Sequence, residues 1–118
     1  MRKKPLASLK KQDDFKRTFR GKSAATPLFV VYAAANDLGF NRLGLSVSKK
    51  TGNAVVRNRV KRLAKESCRL LFSETSDNGQ AFDLIIVARA PVGKLPREGS
   101  FAKVNESLIQ LFGRLGVA

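Results

Sequence analysis

The side chains in this sequence best suited to chemistry are the guanidinium and ammonium groups of residues 49–65. This stretch reads "KKTGNAVVRNRVKRLAK". Arginine can donate two parallel hydrogen bonds to phosphate oxygens, and lysine adds a compact point charge. The chemistry that this composition favours is the binding of a phosphate backbone whose shape is already set.

Groups that could carry out catalysis are scarce. The chain has no histidine, one cysteine (Cys68) and nine acids. A histidine base or ligand is therefore excluded, and a lone cysteine can form neither an internal disulfide nor a structural zinc site. Asp13 and Asp14 are adjacent, so on a helix they would point about 100° apart, which suits a shared metal poorly. We expect no catalytic residue and no metal ligand in the chain.

The basic segment needs a rigid element to hold it, and its spacing predicts a helix. Gly52 and the capping residue Asn53 precede it. Apolar or small residues recur every three or four positions, and Arg57 and Arg59 flank this apolar arc. A solvated helix face is the alternative, but that face lacks the alternating acids that a surface salt-bridge lattice would have. The apolar arc comprises Val56, Val60, Leu63, Ala64, Ser67 and Leu71. The polar residues opposite it are Asn58, Lys61, Arg62, Lys65 and Arg69.

A second basic helix is predicted within the stretch "KKQDDFKRTFRGK", and Gly21 is expected to end this helix. Phe15 and Phe19 are four residues apart and share one face of it. Together with Tyr32 on the following strand they could stack unpaired bases. The alternative is that both phenylalanines only attach the helix to the sheet.

The other elements complete an α+β pattern in a single domain spanning residues 1–118. Residues 26–35 and 42–48 predict two strands joined by the turn 36–41, paired as a hairpin. After a loop at 73–80, residues 81–90 predict a central strand, in which Asp83 is a structural or edge residue. Residues 100–115 predict a last amphipathic helix.

The overall charge indicates a polyanionic partner. The net charge is +14 and the isoelectric point is about 10.8. Residues 2–22 carry +7 and residues 42–69 carry +8, so the remainder sums to −1. Nucleic acid is the first expectation and an anionic membrane surface the second. No apolar window of about 18 residues and no signal-peptide core is present, and the single thiol fits a reducing compartment, so we expect a soluble, cytoplasmic protein.

The motif "KKTGNAVVRNRVKRLAKE" resembles the signature of the bacterial ribonuclease P protein family. "DFKRTFRGK", "LFVVYAA" and "FDLIIVAR" are similar to that family's first helix, cleft strand and last core strand. The resemblance implies an α-β sandwich with a mixed sheet of about four strands and three helices. It also implies a left-handed βαβ crossover, as in folds like domain 2 of ribosomal protein S5.

The same resemblance implies a function. The chain would assist a catalytic RNA, which uses Mg²⁺, in removing the 5′ leader of precursor tRNA. Its partners would be that RNA and precursor tRNA, with no obligate protein partner and no membrane. The residues implied to face the catalytic RNA are Lys49, Lys50, Asn53, Arg57, Asn58, Arg59, Lys61, Arg62 and Lys65. Those implied to form the leader cleft are Phe15, Lys16, Arg17, Phe19, Arg20 and Tyr32.

Two other classes of function remain open from the sequence. A small RNA-binding component of the ribosome would share the basic helix but would not need a leader cleft. A self-sufficient, metal-dependent nuclease would need clustered carboxylates, and the acids of this chain are mostly scattered.

Overall fold

The computed structural model describes residues 7–74 and 80–117, which form a mixed sheet with helices on both of its faces. The strand order in the sheet is β1-β4-β5-β3-β2. A short 3₁₀ turn at Lys49–Thr51 leads into α2. The elements are β1 (Ala7–Ser8), α1 (Gln12–Phe19), β2 (Lys22–Ala25), β3 (Phe29–Asn36), β4 (Arg42–Ser46), α2 (Ala54–Glu74), β5 (Ala81–Ala88), α3 (Ala90–Gly93) and α4 (Ser100–Leu115).

The hydrophobic core lies between one face of the sheet and helices α2 and α4. Alternate residues of β3 and β5 point into it because successive side chains of a strand face opposite ways. Phe72 of α2 and Phe112 of α4 meet there with ring centroids 5.3 Å apart. Burying each large apolar side chain contributes roughly 1.5–3 kcal/mol. The most deeply buried members are Phe29, Val31, Val60, Leu84, Ile86, Val104, Leu108, Leu111 and Phe112.

The predicted hairpin between β3 and β4 is wrong. β5 lies between these two strands, antiparallel to β3 and parallel to β4. The reason is that β5 is apolar on both faces and buried along most of its length, so it is most stable with a strand on each side. The turn that follows β3 therefore carries the chain past β5.

The predicted count of about four strands and three helices is also corrected, since the described residues form five strands and four helices. β1 was missed because it pairs through only two residues, Ala7 and Ser8, with β4. β2 has the sequence "KSAA", which is weakly strand-forming, and it exists because it pairs with β3. α3 follows from the proline at its first turn, Pro91.

The predicted helices agree well with the structure. Asn53 caps α2, since its Oδ1 accepts a hydrogen bond from the backbone N–H of Val56 at 3.0 Å. α4 spans the predicted residues and ends at Gly116, whose φ of 71° suits glycine. Part of the predicted loop at 73–80, residues 75–79, lies outside the described residues. Among the helices that the structure describes, none has the length and apolar character to cross a membrane.

Candidate nucleic-acid interface

Helix α1 lies on the face of the sheet opposite the core, and Phe15 fixes its position. The ring of Phe15 rests on Gly44 of β4. A Cβ atom added to Gly44 would lie 2.8 Å from Cε1 of Phe15, so any larger residue would displace the ring. The hypothesis that Phe15 attaches the helix to the sheet therefore accounts for part of its role.

Phe19 and Tyr32 form an aromatic pair at the other end of α1. Their ring centroids are 4.9 Å apart and the planes meet at 73°, an edge-to-face arrangement. Phe19 remains 45% exposed, so much of its ring faces solvent. The two residues predicted from separate elements therefore form one aromatic surface.

A strip of the sheet next to this pair is left partly uncovered. Val30 of β3 and Val87 of β5 are cross-strand partners on the α1 face, and both are half-buried. Ser46 of β4 pairs with Val87 and is exposed. This strip was not predicted from the sequence, although the alternation of residues along β3 and β5 could have identified it. The aromatic pair and the strip lie side by side on this face, and we call the two together the sheet cleft.

Asp83 holds α1 to the sheet and is fully buried. Its carboxylate accepts hydrogen bonds from Arg17 of α1, from Asn36 at 2.8 Å, and from Arg42 at 2.8 and 2.7 Å. Arg42 also bonds Asp14 of α1 at 3.2 Å. Asp83 is therefore structural, one of the two roles that the sequence suggested.

Electrostatics keeps this buried carboxylate charged. Burial alone would raise the pKa of Asp83, but hydrogen bonds from Arg42 and Asn36 and the charges of Arg42 and Arg17 together hold it below its usual value. The hydrogen bond to Asp83 also raises the pKa of Arg42. Arg17 donates hydrogen bonds to Asp83 and to the carbonyl of Ala35. Fewer of its donors therefore remain for the leader that the resemblance implied it would contact. Lys16 and Arg20 are exposed on or just after α1, the helix that carries Phe19.

The cations of α2 separate into two rows along the helix. A groove of about 400 Å³ beside β1 and residues 43–45 of β4 is lined by Lys61, Lys65 and Arg69. Phe15 lines the same groove, so the predicted aromatic and basic sets meet there. Arg59 and Arg62 point to the other side of α2, toward the start of α4.

The remaining predicted cations surround the start of α2. Lys49 and Lys50 are exposed in the 3₁₀ turn before the helix. Arg57 and Arg59 are half-buried, and the Nε atom of each is buried without a hydrogen-bond partner among the described residues. Nη2 of Arg59 donates long hydrogen bonds to the carbonyls of Gly93 and Leu95, at 3.5 and 3.4 Å. These contacts restrain the guanidinium of Arg59 before any ligand arrives.

Groups suited to metal binding or nucleophilic chemistry do not cluster in the part of the chain that the structure describes. No set of three histidine, cysteine, aspartate or glutamate side chains comes together there. Cys68 is fully buried, and burial raises the pKa of its thiol to about 12. The thiol is therefore protonated at neutral pH and unreactive.

Comparison with known proteins identifies relatives across nearly the whole chain. A model of the Ribonuclease P family matches residues 4–116. The ribonuclease P protein component of Thermoanaerobacter sp. strain X514 is 50% identical over 112 residues, covering 94% of this chain and 90% of that protein. The protein of the same name from Bacillus cereus strain Q1 is 44% identical over 111 residues, covering 92% and 90%.

Solved structures of RNase P proteins are also similar to this chain. A 2.0 Å structure of the Staphylococcus aureus RNase P protein superimposes with a TM-score of 0.78 at 35% identity, covering 96% of this chain and 98% of that one. The RNase P protein from Thermotoga maritima gives a TM-score of 0.72 at 31% identity, covering 91% and 96%.

Proposed function

The chain belongs to the ribonuclease P protein family and is a subunit of the ribonucleoprotein enzyme that processes the 5′ end of tRNA, and on that premise we propose how it binds its RNA partners. The sheet cleft receives the single-stranded 5′ leader of precursor tRNA. The cationic face of α2 and the 3₁₀ turn before it bind the catalytic RNA.

The observation that carries the leader proposal is the exposed Phe19–Tyr32 pair beside an uncovered strip of sheet. A base can stack on Phe19 without sequence preference, because every base has an aromatic face, and each stacked base contributes roughly 1–3 kcal/mol. Lys16 and Arg20 lie close enough in sequence to bind the adjacent phosphates. The fixed arrangement of α1 on Asp83 reduces the ordering cost of binding.

The α2 proposal rests on rigidity as well as charge. The inner face of the helix is anchored in the core by Val60 and Ala64, each 1% exposed. The cations on the outer face therefore keep a fixed spacing, which suits a folded RNA better than a disordered tail would. Chemistry at the scissile phosphate belongs to Mg²⁺ bound by the catalytic RNA, and the protein positions the substrate.

Several broader features belong to the same proposal. The chain is a single domain, and its β4–α2–β5 connection is a left-handed crossover like that of domain 2 of ribosomal protein S5. The protein acts in the cytoplasm and needs no other protein partner. The resemblance supports the crossover and the absence of another protein partner, the pattern of elements supports a single domain, and the single thiol supports a reducing compartment.

The direct test combines the purified chain with a bacterial ribonuclease P RNA at low Mg²⁺ and measures cleavage of precursor tRNA. We expect strong stimulation over the RNA alone and no cleavage by the protein alone. Absence of stimulation would favour a ribosomal RNA-binding role, whereas cleavage without the RNA would indicate a self-sufficient nuclease.

The leader cleft is tested by Phe19→Ala with Phe40→Ala as a matched control. Phe40 is 42% exposed, close to the 45% of Phe19, but lies in the turn after β3. We expect Phe19→Ala to weaken binding of leader-bearing precursor tRNA to the assembled enzyme by about 5- to 100-fold, from the loss of one stacked base. Binding of mature tRNA should hardly change, and Phe40→Ala should leave both affinities intact. Equal losses for the two tRNAs would argue against a leader cleft.

A further inference from the structure

Arg97 joins the second row of α2 cations at a site that no sequence motif marks. It lies in the segment between α3 and α4, far from α2 in sequence. Two adjoining cavities, of about 470 and 320 Å³, are both lined by Arg59, Arg62 and Arg97. Tertiary structure thus brings a third guanidinium to the pair that α2 supplies.

The charges around these cavities are unbalanced. Among residues 7–74 and 80–117, no carboxylate lines either cavity. Glu66 of α2 and Glu98 beside Arg97 are the nearest acids in sequence, and neither forms an ion pair with the three arginines among the described residues. Three guanidinium groups facing one space repel each other unless an anion enters.

The geometry of the cluster suits one phosphate group. Arg59 is restrained by the carbonyls of Gly93 and Leu95, whereas Arg62 and Arg97 are exposed and line both cavities. Each guanidinium can present two parallel donors to phosphate oxygens. The first turn of α4, at Ser100, opens on the same cavity and adds the positive end of its dipole.

We infer that Arg59, Arg62 and Arg97 together bind a single backbone phosphate of the catalytic RNA. This inference rests on the proposed function of α2 and extends it to the segment before α4. The proposed RNA-binding surface therefore continues from α2 across to the start of α4.

The test measures the affinity of each variant for a bacterial ribonuclease P RNA at several monovalent salt concentrations. The variants are Arg97→Gln, Arg62→Gln, the double variant and Lys103→Gln. Lys103 is the control because it is exposed in the first turns of α4, lines neither cavity, and its change removes the same charge. Arg97 and Arg62 make no hydrogen bond through their side chains in the described residues, so the variants should fold normally. Thermal melting checks this.

We expect Arg97→Gln to weaken binding several-fold and to reduce the slope of log affinity against log salt by about one. Lys103→Gln should change affinity less than about twofold. The double variant should lose less than the product of the two single losses, because both arginines bind one phosphate. Arg97→Lys should fall between wild type and Arg97→Gln, since it keeps the charge but loses the paired donors.

The possible outcomes distinguish the phosphate pocket from the proposed RNA-binding role of α2. If Arg62→Gln weakens binding but Arg97→Gln behaves like Lys103→Gln, the phosphate pocket is refuted and the α2 interface stands. If neither arginine matters, the inference falls, and the stimulation of the catalytic RNA at low Mg²⁺ decides separately whether the proposed function falls as well. A parallel titration with precursor tRNA alone should show no effect of Arg97→Gln, and a loss confined to that titration would assign the phosphate to the substrate and overturn the inference.

Discussion

At the scale of single residues, Asp83 determines whether α1 is held on the sheet. Its buried carboxylate is the shared acceptor of Arg17 and Arg42. Replacing it by asparagine removes the negative charge and leaves two guanidinium groups facing each other. We expect Asp83→Asn to lower the free energy of unfolding by about 3 kcal/mol, the lower end for breaking a buried ion pair, because the Arg17 side chain is 44% exposed. Urea unfolding at neutral pH measures the loss.

The pH dependence of this loss identifies its cause. Since the pKa of Asp83 is lowered by folding, its stabilisation is fully present above the unfolded value of about 3.9 and disappears as pH falls through the folded value. The difference between wild type and Asp83→Asn should be constant from pH 7 to about pH 4 and shrink below it. Asp13→Asn, an exposed residue of the same helix, is the control and should show a much smaller difference. A difference that persists at low pH would point to packing instead of charge.

At the scale of elements, α2 depends on Asn53 for its start. The resemblance implied that Asn53 faces the catalytic RNA, which stays a prediction, and the structure shows that its Oδ1 accepts a hydrogen bond from the Val56 N–H. We expect Asn53→Ala to lower the free energy of unfolding by about 1 kcal/mol, whereas Asn53→Ser, which retains a capping oxygen, should stay near wild type. Urea unfolding and RNA affinity are measured on both variants.

The two variants distinguish capping from direct RNA contact. If capping is the role of Asn53, Asn53→Ser should keep both stability and RNA affinity. If Asn53→Ser keeps stability but loses RNA affinity as far as Asn53→Ala does, the amide itself contacts RNA. Equal stability of all three proteins would mean that the cap contributes nothing to α2.

At the scale of the whole molecule, the net charge of +14 makes RNA binding depend on salt. If about six phosphates are neutralised, affinity for the catalytic RNA should fall by roughly three orders of magnitude between 50 and 200 mM monovalent salt. Titrations with Mg²⁺ held constant measure this slope. A flat response would contradict an interface built on Lys and Arg.

Three of the four described helices, α1, α2 and α4, and the chemistry of their faces follow from the sequence alone. Helix α2, its cap at Asn53 and its inner residues such as Val60 follow from spacing and capping, which involve only neighbours along the chain. The basic motif on its outer face also identified the family. Phe15 and Phe19 were correctly placed on one helix for the same reason, and Tyr32 on the strand that α1 packs against.

Contacts between segments that are distant in sequence could be identified only from the three-dimensional structure. Strand order depends on the relative stability of all possible strand pairings. Instead of the predicted hairpin between β3 and β4, β5 lies between them and buries both of its faces. The partners of Asp83 and the approach of Arg97 to Arg59 likewise depend on residues more than 30 positions apart along the chain. The spacing of apolar residues within one helix or strand does not predict such pairings, because the free energy that selects them comes from packing the whole core at once.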